Sequence, residues 1–233
     1  QTDATTSLVY GNYTTTVSKT DIKSVVINGT LITSIGADAF YLCSALQSVT
    51  IPDSVTSIGD SAFRQCDALT TVTIPDSVTS IGNGAFFSCS ALQSVTIGDS
   101  VTSIGDEAFR ECNALTTVTI PDSVESIGNN AFKDCSALTT VTLPTNVNFT
   151  SIGSAAFYGC SALTTVTIPD SVTSIGNGAF SYCSALESVT IGDSVVSIDS
   201  NAFSYCSALT SLTIGNSVTS IGEYVFQGSG LTT

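Results

Sequence analysis

Eight cysteines stand at Cys43, Cys66, Cys89, Cys112, Cys135, Cys160, Cys183 and Cys206, 23 residues apart except for one gap of 25. Thiols bind zinc, pair as disulfides or pack as small hydrophobes, and spacing separates these uses. Structural zinc sites draw on closely spaced ligands such as CxxC, and thiols set one per long repeat cannot surround one ion tetrahedrally. If each cysteine occupies its own coil of a stack, neighbours lie about 4.8 Å apart. That separation suits the Cα atoms of a disulfide, but parallel Cβ vectors stay further apart than the preferred ~3.8 Å. Buried free thiols are therefore favoured, while neighbour pairing stays open for an oxidising compartment.

A second row keeps the same beat: Asp53, Asp76, Asp99, Asp122, Asp170 and Asp193, with Thr145 in its one interruption. Calcium takes several converging oxygens, and no repeat supplies them, so the row reads as turn residues whose side chains bond nearby amides. The chain has no His, which removes Ser–His–Asp triads, His-containing zinc sites and the commonest general base. An Asp–Ser pair repeated in most units is a turn, not an active site. No enzyme activity, metal or cofactor is expected. Arg64, Arg110 and Lys133, each just after a recurring Phe, read as solvated surface.

Hydroxyls are the third chemistry. Thr50, Thr71, Thr73, Thr96, Thr117, Thr119, Thr140, Thr142, Thr165, Thr167, Thr190 and Thr213 fall at outward positions of a recurring strand. Strand geometry sets them in two rows, about 4.8 Å apart between coils and about 6.7 Å within one. Thr suits any exposed strand face; the same rows could meet a partner, carry O-linked sugars, or match a water lattice as in ice-binding solenoids. Asn12, Asn28 and Asn148 each head an N-x-[ST] sequon and are glycosylation candidates. Asn148 lies in the chain's single insertion, where a loop should bulge.

The frame that must position these groups is a repeat covering about residues 22–231 of 233. Phe40, Phe63, Phe86, Phe109, Phe132, Phe157, Phe180, Phe203 and Phe226 keep the period, as do isoleucines from Ile35 to Ile221. In the unit from Leu69 to Cys89, Leu69, Val72 and Ile74 point inward along a first strand and Pro75 ends it. Val78 and Ile81 point inward along a second extended piece. Gly82 is expected at positive φ, and Ala85 to Cys89 as a short helical turn. Nine such coils make a rod or shallow arc of roughly 40 Å with one continuous core. With 5 basic and 19 acidic residues, a net charge of −14 and a pI near 4.1, nucleic acid is not a partner. Mean hydropathy is +0.39, yet no apolar run approaches the ~18 residues of a spanning helix.

The unit LxxVxIPDSVxSIGxxAFxxC resembles the BspA-type leucine-rich repeat of bacterial and protist surface proteins. The resemblance implies a leucine-rich repeat solenoid, mostly β with a parallel sheet on one face, extracellular at the cell surface or secreted, non-enzymatic, and used for adhesion or structure. Its partner is then a cell-surface or matrix protein, or a second copy. Residues 1–21 do not follow the repeat and residues 22–233 do. Gln1 reads as a processed or trimmed end. The β-prone stretch with Leu8, Val9 and Tyr10 either folds over the first coil or joins the open last coil of another chain, which carries Phe226 and Leu231. The second arrangement is head-to-tail, does not close, and predicts fibres.

Overall fold

The computed structural model describes residues 7–8, 19–27 and 31–232. Within each coil the local rules act as the sequence suggests. Thr71–Thr73 is a strand with Val72 buried and both threonines exposed, because successive side chains point to opposite faces. Pro75 brings no amide to the ladder, and the Val78 amide instead closes a turn on the Pro75 carbonyl at 3.0 Å. Ser80–Ile81 then forms a second short strand with Ile81 inward.

Stacking turns these short pieces into long sheets. The Ser–Ile strands align in a ten-stranded parallel sheet, nine contributed by the coils and one by Ser7–Leu8, which pairs in parallel with Ser34–Ile35. The threonine strands form three parallel blocks: Ser24–Val26 with Ser48–Thr50, Thr71–Thr73 through Thr140–Thr142, and Thr165–Ile168 through Ser211–Thr213. The second break falls at the coil that carries the insertion. The parallel sheet expected on one face is thus accompanied by a second along the rod.

The third side of each coil differs from expectation. The only helix among the described residues is a 3-10 turn at Lys19–Asp21, and Ala85 to Cys89 is a run of tandem turns. Alternate amides bond locally and across coils: Ala85, Phe87 and Cys89 donate to carbonyls three residues back, whereas Gly84, Phe86 and Ser88 donate to Asp106, Ala108 and Arg110 of the next coil at 2.7–2.8 Å. A helix would use all these amides internally; here half of them join the coils. The geometry requires two positive-φ residues per coil, such as Gly84 and Ser88, or Asn201 and Tyr205. Gly82 is not among them. Its hydrogen is needed for space, because a Cβ there would lie 2.6 Å from the Asp60 amide of the preceding coil.

One core runs the length of the stack. Phe40 to Phe203 form a column of near-parallel rings with centroids 5.1–5.3 Å apart, the offset-stacked spacing that adds to area burial. Phe149, in the insertion, fills the position that valine holds in other coils and is fully buried. Burial comes from having a coil on each side. Ile198 is 1% exposed, whereas its counterpart Ile221 in the last coil is 54% exposed.

Candidate functional site

The cysteine column belongs to the core. All eight thiols are free and buried. Each from Cys66 onward donates to the carbonyl of the Phe in the preceding coil, as Cys89 does to Phe63 at 3.1 Å and Cys135 to Phe109 at 3.2 Å. Burial pushes the Cys89, Cys135 and Cys206 thiols up to about 12, the opposite of what a nucleophile or metal ligand needs. No cluster of metal-ligating side chains occurs among the described residues.

The aspartate row bonds amides as expected, but in the next coil and not in its own turn. Asp76 Oδ1 accepts from the Asp99 amide at 2.9 Å, and Asp122 Oδ1 from the Thr145 amide at 2.6 Å. A parallel row that the sequence reading missed does the same work. Asp60, Asn83, Asp106 and Asn129 accept in succession from Asn83, Asp106, Asn129 and Ser154 at 2.6–2.9 Å. These charged and amide side chains cap open backbone donors from coil to coil.

The threonine rows remain available. All twelve threonines are exposed, and neighbours stand in register, as Thr117 with Thr140 and Thr119 with Thr142. Other threonines engage their hydroxyls: Thr79, Thr102 and Thr139 donate to the preceding coil at 3.0–3.1 Å. The row hydroxyls make no side-chain hydrogen bond among the described residues. Beside them, where the aspartate row meets Thr73 and Thr96, lies a groove of about 670 Å³.

The turn side carries what the sequence reading passed over. The residue after the repeat Phe is Tyr41, Arg64, Phe87, Arg110, Lys133 and Tyr158 in six successive coils. Cations here lie over neighbouring rings instead of standing free in solvent. Arg64 lies 4.1 Å and Arg110 5.3 Å from the Phe87 ring centre, Lys133 4.8 Å from that of Tyr158, and Lys19 5.7 Å from that of Tyr41. Four of the chain's five basic residues therefore lie against an aromatic ring. Arg110 also pairs with Glu107 at 2.9 Å and Glu111 at 3.3 Å. In the next two coils the position after Phe holds Ser181 and Ser204, and the aromatic ring moves one residue on, to Tyr182 and Tyr205. Aligning the coils on Phe would have shown both the column and its sidestep.

The repeat geometry now meets a sequence profile that fits it. The model of the BspA type leucine rich repeat region matches residues 14–139 and 127–233, with six copies. The chain belongs to the BspA-type leucine-rich repeat family. Its members are surface repeat proteins. No curated protein matches the chain. Among solved structures, a leucine-rich repeat protein from Bacteroides ovatus is 26% identical, with a TM-score of 0.65, covering 95% of this chain and 67% of that one. The T. pallidum leucine-rich repeat protein is also 26% identical, with a TM-score of 0.52 over 88% of this chain and 74% of that one. The pneumococcal vaccine antigen PcpA shares the fold at 20% identity, with a TM-score of 0.61 over 88% of this chain and 60% of that one.

The remaining candidates sit at the margins of this BspA-type solenoid. Asn148 is exposed on the two-residue bulge, its Nδ2 donating to Glu125 at 2.9 Å. Asn12, Asn28, Val9 and Tyr10 lie outside the described residues. Leu8 belongs to the strand paired in parallel with Ser34–Ile35 of the same chain. Phe226 and Leu231 are half-buried in the last coil.

Proposed function

We propose that this chain is a non-enzymatic, extracellular surface module that adheres to a cell-surface or matrix protein through its threonine-lined strands. One observation carries this reading: the row hydroxyls are exposed, in register and unengaged among the described residues, while threonines elsewhere in the coil bond the neighbouring coil. A rigid rod with such rows offers a partner many equivalent donors and acceptors. Burial holds the core thiols of Cys89, Cys135 and Cys206 neutral, and apart from Ser181 and Ser204 the other buried side chains are apolar. The ice-binding alternative needs a flat array matched to a water lattice, and thermal hysteresis lost in T117K/T119K would test it. A glycan on Asn148 would project from the bulge, away from the buried Phe149; intact mass of secreted material with and without glycosidase tests it.

A second reading, fibre formation, draws on the last coil, where Ile221 and Ile214 are 54% and 39% exposed. In the version in which that segment is donated to another copy, the Ser7–Leu8 strand has to leave Ser34–Ile35. Light scattering of the purified chain separates the two readings. The adhesive module is a monomer that binds immobilised matrix proteins saturably and loses that binding in T117K/T119K. Ordered polymers formed without any other component would favour the structural role instead.

A further inference from the structure

The sidestep of the aromatic column leaves a hollow. At the coils of Phe180 and Phe203, serines replace the large side chains that follow Phe elsewhere. Their hydroxyls lie buried and bonded to each other at 2.7 Å. Gly178 widens the space. It sits at φ +61°, where other coils carry Asp38, Glu107 or Asn130, and a Cβ there would meet nothing closer than 3.8 Å. The result is a cavity of about 360 Å³ floored by Ser181 and Ser204 and walled by Tyr158, Tyr182 and Tyr205, at the small end of ligand-binding pockets.

Three features say what would fill it. Tyr182 and Tyr205 are 46% and 40% exposed and stack at 4.7 Å, while Tyr158 lies 5.2 Å from Tyr182 at a tilt of 51°, so that face of Tyr182 is not covered by a parallel ring. Asn177 and Asn201 line the same cavity with side-chain amides that make no hydrogen bond among the described residues. Asn83 and Asn129, which hold the position of Asn177 in other coils, accept from the following coil. Lys133 reaches the rim over the Tyr158 ring with no acidic partner among the described residues. Ala155 is the only aliphatic side chain in the lining, so the hollow has nothing to hold an apolar peptide anchor.

A partly open aromatic face beside unpaired side-chain amides suits a ring with one C–H face and a polar rim. We propose that this cleft binds a pyranose unit of a glycan, stacked on Tyr182 and hydrogen-bonded by Asn177 and Asn201. Lys133 adds a contact when the sugar bears a carboxylate. The site lies on a different side of the rod from the threonine rows and does not depend on the role assigned to them.

The test titrates the full chain with chitohexaose as a neutral probe and a hyaluronan hexasaccharide as an acidic one, by calorimetry and by tyrosine fluorescence, which no Trp obscures. The expected result is saturation by at least one probe below about 1 mM. Affinity should fall at least about tenfold in Y182A and should also fall in S181F, which fills the hollow from its floor. Circular dichroism should confirm the fold of each variant. Preference for the acidic probe, lost in K133Q and in high salt, would assign the carboxylate contact. Saturation by neither probe, or saturation untouched by both Y182A and S181F, overturns the proposal.

Discussion

The threonine side and the turn side of the rod grow from one repeat, yet they differ in what is allowed to vary. On the threonine side every coil from Ser48–Thr50 to Ser211–Thr213 presents Thr or Ser at the same two positions, so one stretch of surface resembles the next. On the turn side the residue after Phe changes from Tyr41 to Arg64 to Phe87, then to Ser181 and Ser204, and finally to Gln227. A uniform face can hold a partner by many equal contacts but cannot say where along the rod it sits. A varied face can place one pocket at one coil. In a solenoid, then, the periodic residues build the fold, and departures from the period mark where a localised site can arise.

The two sides share a core, so the largest change should strike both. Phe132 stacks at 5.2 Å on Phe109 and at 5.3 Å on Phe157, fully buried. Phe132→Ala should lower unfolding free energy by about 3–5 kcal/mol, measured by urea denaturation. It should weaken binding on either side only as far as the chain unfolds. A loss confined to one face while the chain stays folded would show that the faces are mechanically separate.

Alkaline pH is the next lever on the shared core. Burial holds Cys89, Cys135 and Cys206 neutral up to about 12, against an ordinary thiol value of 9.0. The folded chain thus resists losing those protons and the unfolded chain does not. Stability from this source is complete below pH 9 and drains away as pH rises towards 12. Urea midpoints measured from pH 7 to 11 should fall only in the upper part of that range, and Cys89→Ala should flatten the decline. At pH 8 Ellman's reagent should leave the native thiols unlabelled and react with all eight once denaturant is added. Rapid labelling of the native chain would contradict the packing.

How far these features were legible in the sequence follows the same division. Phe, Cys and the inward Val and Ile positions were readable because burial acts on each coil alike, and alternation of apolar residues reports it directly. Backbone conformation was not. Leu42, Gln65 and Tyr182 adopt positive φ, which their own preferences oppose; the bonds to the next coil decide it, and no single repeat contains them. Gly82 was correctly singled out for the wrong reason, because the atom it avoids belongs to the coil before it. The turn-side cleft stayed hidden for a related cause: it arises from two neighbouring coils departing together, while each departure alone is an ordinary Ser or Tyr.

The inter-coil caps offer a smaller and more selective effect. Asp106 Oδ1 accepts from the Asn129 amide at 2.6 Å, while its own amide donates to Asn83 Oδ1 at 2.9 Å. Asp106→Ala removes the acceptor and should cost about 0.5–1.5 kcal/mol by urea unfolding. Asp106→Asn keeps the acceptor and should cost much less, as Asn83 and Asn129 already fill that role in adjacent coils. Equal losses in both variants would mean that the carboxylate charge matters more than the bond.

The smallest change tests the comparison itself. Arg110 lies over Phe87 and pairs with Glu107 and Glu111, with about a quarter of its side chain exposed, 27%. Exposed pairs of this kind contribute about 0.2–1 kcal/mol, so Arg110→Ala should give a loss in that range. Replacing Thr117 and Thr119 by Ala should shift stability within about 0.5 kcal/mol either way, because neither hydroxyl has a bond to lose among the described residues. Side chains on the turn side are tied into the column, and those on the threonine side are held only by their strand. A threonine pair that proved as costly as Arg110 would show those hydroxyls bonded within the chain, and the surface offered to a partner would then have to be sought on the turn side.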